Sequence, residues 1–179
     1  MGRLVEVIKP DNTKYYDAGF GHEVNHKFKE ATREIAEAGT CYALGRNTAS
    51  VFHLMRGVEH GLRALTRAVG VTAPKIPLNY QEWNCLIEQI ESRSDAAIST
   101  WGKGAETTNG RQFFHRIVPE LYLFKDDVRN VTMHTRQSYD APGALSVRNR
   151  ASEWFAVLAT RVSENTTDSI LEKHLFAPA

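Results

Sequence analysis

The sequence predicts an all-α domain, a four- to five-helix up-down bundle with a short extended N-terminal arm. Three observations carry that prediction. Apolar residues recur at three- and four-residue intervals through several long stretches, which is the period of a helix with one buried face. Stop signals separate those stretches: Gly45, the proline-bearing "VTAPKIPLNY", and Asp140 two places before Pro142. The one alternating run, "LVEVI", is confined to the first residues.

Taken in order, residues 1–20 read as the arm, with a turn around Pro10, Asp11 and Asn12. A first helix is expected over 22–42, burying Val24, Phe28, Ala31, Ile35 and Ala38, and ending before Gly45. A second, over 48–69, carries the clearest stripe: Val51, Leu54, Met55, Val58, Leu62, Leu65 and Val69. Beside it Gly57, Gly61, Ala64 and Ala68 form a small-residue face. Glycines cost about 1 kcal/mol each in helix propensity, so close approach of another helix, within the chain or from a partner, must offset them. The opposite side is basic: Arg46, His53, Arg56, His60, Arg63 and Arg67.

A third helix over 81–98 buries Trp83, Leu86, Ile87 and Ile90, and the Gly/Thr-rich "STWGKGAETTNG" reads as a mobile connection. A fourth begins near Asn109 with Phe114, Ile117, Leu121, Phe124, Val128 and Val131 inward; Pro119 should kink or restart it. Asp140 is the expected N-cap of a fifth helix, with Val147, Ala151, Trp154, Phe155, Leu158 and Val162 as its stripe. The organisation is therefore an arm at 1–20, a bundle at 21–166 and a tail at 167–179 holding at most one short turn.

Composition narrows the function classes. With 42% hydrophobic and 24% charged residues the chain is globular, and no apolar run reaches bilayer length. A net charge of +1 argues against coating nucleic acid by bulk positive charge, and leaves a local basic face open. The first residues are too weakly apolar for a secretory signal. The two cysteines, Cys41 and Cys85, form no Cys-x-x-Cys pair, so a reducing cytoplasm is expected.

Two short stretches carry possible chemistry. "HEVNH" at 22–26 has the spacing of a zinc-hydrolase helix, two histidines one turn apart with a glutamate between. Its context is wrong for that role, with Gly19 and Gly21 just before it and charged Lys27 just after. It reads as an exposed first turn, and no metal or cofactor is expected there or elsewhere. "RNVTMH" at 129–134 groups Arg129, Asn130 and His134 near a helix end.

An arginine followed by four to six residues and a histidine is weak by itself, and the chain has a second case in Arg46 and His53, at a helix start without comparable polar support. On a regular helix Arg129 and His134 point about 140° apart, so they converge only where the helix loosens. Asp126, Asn130 and His134, by contrast, are spaced at four and share a face. The alternative is structural: cations near a helix C-terminus offset its dipole. Glu59 is either an inward acid supporting this site or a partner of Arg63 four residues on. Arg56, His60, Arg63 and Arg67 either guide RNA phosphates or form a solvated face. Trp83, Trp101 and Trp154 read as core, with Trp101 also placed to stack on a base.

The stripe "VFHLMRGVEHGLRAL", then a further bundle helix, then "FKDDVRNVTMH" at a helix end and one closing helix, resembles the HEPN domain family over residues 46–165. The resemblance implies an all-α, commonly homodimeric bundle and a metal-independent endoribonuclease with Arg129, Asn130 and His134 in its motif. The 2′-hydroxyl of RNA would attack the neighbouring phosphate. His134 would move the proton, Arg129 would stabilise the phosphorane charge and Asn130 would orient either group. One histidine serves poorly as both acid and base, so the resemblance implies two motifs meeting across a dimer and a 2′,3′-cyclic phosphate product. It also implies a setting in toxin–antitoxin pairing or phage defence, with an antitoxin or other protein partner. Arg136 stands where one subgroup carries a tyrosine, so the likeness does not extend to control by tyrosine modification. The other readings are a non-catalytic helical dimerisation or interaction module using the glycine face, and, third, a metal-dependent hydrolase at His22, Glu23 and His26.

Overall fold

The computed structural model of the protein describes residues 8, 10–72, 77–133 and 138–178. Among these residues every regular element is helical and there is no strand. The fold is all-α. The elements are α1 (His22–Lys27), α2 (Lys29–Ala43), α3 (Asn47–Ala68), α4 (Trp83–Ser99), α5 (Ala105–Leu123), a π-helical turn Phe124–Arg129, α6 (Asn130–Met133) and α7 (Ala141–Ala159). No helix of the described residues is long and apolar enough to cross a membrane.

α3 is the centre. The whole expected stripe from Val51 to Val69 is buried, and α2, α4, the π turn and α7 all pack on it. The small-residue face is covered from within the chain. A methyl group on Gly61 would stand 2.6 Å from the Trp154 ring, and one on Gly57 would stand 3.3 Å from Ile35. This face therefore seats α7 and α2, so it does not remain for the partner contact that the interaction-module reading gave it.

The expected first helix is two helices. Phe28 leaves helical geometry at φ −129°, ψ 68° and is fully buried. The cause lies far along the chain. Glu164 accepts from the backbone amides of Glu30 and Ala31 at 2.9 and 2.8 Å, capping α2 from outside and placing negative charge at its N-terminus.

Residues 10–20 are not the turn of an extended arm. Pro10–Tyr15 is a 3-10 helix whose Tyr15 meets Tyr42 edge-on at 4.9 Å. Arg148 of α7, only 6% exposed, donates to the carbonyls of Ala18 and Gly19 and lies 5.0 Å from the Phe20 ring centre. A buried guanidinium needs acceptors, and this segment's backbone supplies them. The alternating residues 4–7 lie outside the described residues.

The connection before α5 is packed rather than loose. Trp101 closes over Gly110, where a methyl group would stand 2.5 Å from its ring, and tilts against Phe176 at 5.4 Å. Trp101 is thus half-buried in an intramolecular cluster beside the core. α5 starts at Ala105 and runs through Pro119 without restarting, and the irregularity comes five residues later, in the π turn. Asp140 caps α7 as expected, accepting from the Gly143 amide at 2.8 Å with Pro142 in the first turn. The tail holds one short 3-10 turn, Lys173–Phe176, with Phe176 buried.

Candidate functional site

The sequence singled out the stretch following Phe124, and there the helix changes character. An α-helix advances 100° per residue, whereas a π turn accommodates about one more residue per turn. The wider turn keeps both Phe124 and Val128 in the core. Arg129 is its last residue, half-buried, with its guanidinium carbon 5.3 Å from the centre of the Trp83 ring at the start of α4. π-helical turns inside longer helices often accompany functional sites.

Around Arg129 the polar groups form a chain. Its Nη1 donates to Asn130 Oδ1 at 3.4 Å, and Asn130 Nδ2 donates to Asp126 Oδ1 at 3.5 Å. Lys125 Nζ pairs with the same Asp126 oxygen at 3.2 Å and donates to Asn84 Oδ1 at 2.7 Å, tying the row to α4. Asp126 and Asn130 thus do share a face. Among the described residues Arg129 has no carboxylate partner; the Asp126 charge is met by Lys125 instead. His134, and Arg136 with it, lie outside the described residues. Beyond them, the Tyr139 amide donates to Thr48 Oγ1 at 3.0 Å, bringing the chain back to the first turn of α3.

The remaining expected site residues fall elsewhere. Glu59 pairs with Arg63 at 2.5 Å on α3 itself. Arg56 donates to Glu34 Oε1 at 2.7 Å. His60, Arg63 and Arg67 wall a concavity of about 380 Å³ whose other walls include Glu30 and Glu164. Arg67 donates to the Glu164 carbonyl at 3.0 Å, and burial lowers its pKa although the Glu164 charge opposes this. The basic face is therefore interleaved with carboxylates along its length.

His53 has polar support that the sequence did not disclose. Glu34 Oε2 is 2.8 Å from its Nδ1, so one carboxylate holds both His53 and Arg56. Burial alone would raise the Glu34 pKa, but the hydrogen bonds from His53 and Arg56 outweigh it and hold the group below its ordinary range. Sequence spacing could not reveal this acid, because it sits on a different helix.

His22 and His26 are exposed with parallel rings 6.2 Å apart, and Glu23 pairs with Lys27 at 3.0 Å. No third ligand joins them among the described residues. The three groups that do gather as a metal would require are Glu37, Cys41 and His53. The chain matches no protein-family model, and neither a curated protein nor a solved structure is significantly similar to it.

Proposed function

We propose that the protein is a HEPN-like, metal-independent endoribonuclease that cuts RNA by attack of the 2′-hydroxyl on the adjacent phosphate. One observation carries the reading. Arg129 stands half-exposed at the end of a π turn, its flat face over Trp83 and its fork without a carboxylate among the described residues. A guanidinium in that state keeps its donors for an anion, and its planar fork matches two phosphate oxygens. Asn130 and Asp126 line the same side and fix the orientation of the row.

In this mechanism His134 takes the 2′-hydroxyl proton while Arg129 meets the charge growing on the phosphorane oxygens. The leaving 5′-oxygen collects a proton from a second imidazole, supplied by a second copy of the chain. The product is a 2′,3′-cyclic phosphate. RNA is the substrate, a homodimer the working form, and a toxin–antitoxin or defence role the setting this chemistry fits.

The direct trial is single-stranded RNA incubated with the full chain in chelator, with the fold monitored by far-ultraviolet circular dichroism. Cyclic-phosphate ends should form with the wild type and disappear with His134→Ala. Cleavage that persists in that variant, or product ends of another kind, rejects the mechanism.

A second reading, a non-catalytic interaction module, is favoured by a different feature. α4 and α5 leave an apolar groove of about 420 Å³ between them, walled by Ile98, Phe114, Val118, Pro119 and Leu123. Such a module would bind its partner equally well with His134→Ala and would release no RNA product.

A further inference from the structure

We propose that Glu37, Cys41 and His53 form a zinc site that ties α2 to α3. The proposal stands apart from the ribonuclease reading, because none of these residues belongs to the Arg129 row. α2 presents Glu37 and Cys41 one turn apart, and α3 brings His53 across to them. A carboxylate oxygen, the thiol sulfur and a ring nitrogen lie within 4.8 Å of one another. The Cys41 Sγ and Glu37 Oε1 are already 3.8 Å apart. Zinc bonds of about 2.0–2.3 Å set the edges of a tetrahedron at about 3.3–3.6 Å. The closure that remains, to His53, is at most on the order of 1 Å, a distance that small side-chain rotations on the two helices span.

The donor set selects the ion. Thiolate and imidazole together favour a borderline-soft cation over magnesium or calcium, which take oxygen ligands. A thiolate and a carboxylate also balance the charge of a divalent ion. His53 is held as a metal-binding histidine is normally held. Glu34 Oε2 lies 2.8 Å from its Nδ1, so a metal bound by this ring would take Nε2, with the carboxylate as the outer partner that orients it. Arg56 fixes the other Glu34 oxygen at 2.7 Å, so the carboxylate that orients the ring is itself oriented. Three protein ligands leave the fourth position to water. The tie would stiffen the first half of α3, where Thr48 accepts from the Tyr139 amide.

The test is titration of the metal-stripped full chain with cobalt(II), followed by zinc. A single equivalent of cobalt should bind with a near-ultraviolet thiolate-to-cobalt absorption, and zinc should displace it. Cys41→Ser should abolish the absorption, and Glu37→Gln should weaken binding about tenfold or more. Glu34→Gln should weaken it by about 10- to 100-fold, as expected for the partner of a ligating histidine. Cys85→Ser and His22→Ala should change nothing. Because Cys41 is buried, the fold of that variant is checked by circular dichroism. If it fails to fold, Glu37→Gln, altered at an exposed position, decides the matter. Absence of the thiolate absorption, wild-type affinity in Glu37→Gln, or binding that is lost with His22→Ala overturns the proposal.

Discussion

Two regions of this molecule begin from the same sequence pattern, an arginine followed within a few residues by a histidine. Around His53, at the α2–α3 seam, Glu34 occupies the imidazole and draws Arg56 into the same knot. At the end of the π turn Arg129 lies on an aromatic ring with an amide for company, and the nearby Asp126 is matched by Lys125. The first knot is neutralised and joins two helices. The second leaves a cation facing outward without an opposing carboxylate among the described residues. What separates the two is the acid across from each pattern, and that acid comes from another element in the first case. Residue types and spacing do not encode it.

Substituting Arg129 and Arg56, the arginine that the Glu34 knot holds beside His53, in parallel gives the largest expected contrast. Arg129→Ala should lower RNA cleavage by about 100- to 1,000-fold, the loss typical when one donor to a developing oxyanion is removed. Its unfolding midpoint should barely move. Arg56→Ala should leave cleavage within about twofold and instead cost about 0.5–1 kcal/mol of stability, as exposed ion pairs do. Equal losses of activity from both would mean that phosphate attraction over a broad face matters and the π-turn arginine has no special place.

Much of the fold was legible because burial imposes a period. The α3 and α7 stripes, the stop at Gly45 and the Asp140 cap all depend on residues within a few positions of each other, and all appear where the pattern puts them. The failures share an opposite property. The break at Phe28 depends on Glu164, the seating of residues 10–20 depends on Arg148, and the packing of Trp101 depends on Gly110 and Phe176. Each is a contact between distant segments with no local signature. The candidate site divides the same way. The Asp126–Asn130 contact follows from helical spacing, whereas Trp83 beneath Arg129 comes from a helix the motif does not mention.

Acid titration probes the α2–α3 knot at smaller amplitude. The Glu34 carboxyl is held below its ordinary range in the folded chain, so its contribution is complete above the unfolded-state pKa and fades as pH falls through the lowered folded value. Glu34→Gln should therefore lose about 1–2 kcal/mol near neutral pH, the range for hydrogen bonds to a charged partner. The gap between wild type and variant should narrow as the pH falls below the ordinary carboxylate range and close only once the lowered folded-state value is passed, where both carry a neutral side chain. Urea midpoints across that pH range measure this. A gap that stays constant would show that shape, and not charge, joins the helices. Cleavage by Glu34→Gln should match the wild type throughout, which keeps the seam distinct from the π-turn site.

The smallest effect concerns the ring beneath Arg129. Trp83 is 3% exposed, and its Nε1 is buried with no partner among the described residues. Trp83→Phe keeps an aromatic face, shrinks it, and removes the unpartnered N–H. The lost packing destabilises the fold, but relief of a buried unpaired donor is worth about 1–3 kcal/mol in the other direction. The two nearly cancel, so global stability should change little. The cation–π attraction should not survive intact, because indole offers the strongest face of the three aromatic side chains. A loss of about 0.5–1 kcal/mol there corresponds to cleavage slowed by about two- to fivefold. If Trp83 matters only as core, activity will follow stability and stay level. If it positions the guanidinium, activity will fall while the unfolding midpoint holds, and Arg129→Ala made in the Trp83→Phe background will then show a smaller further loss than it does alone.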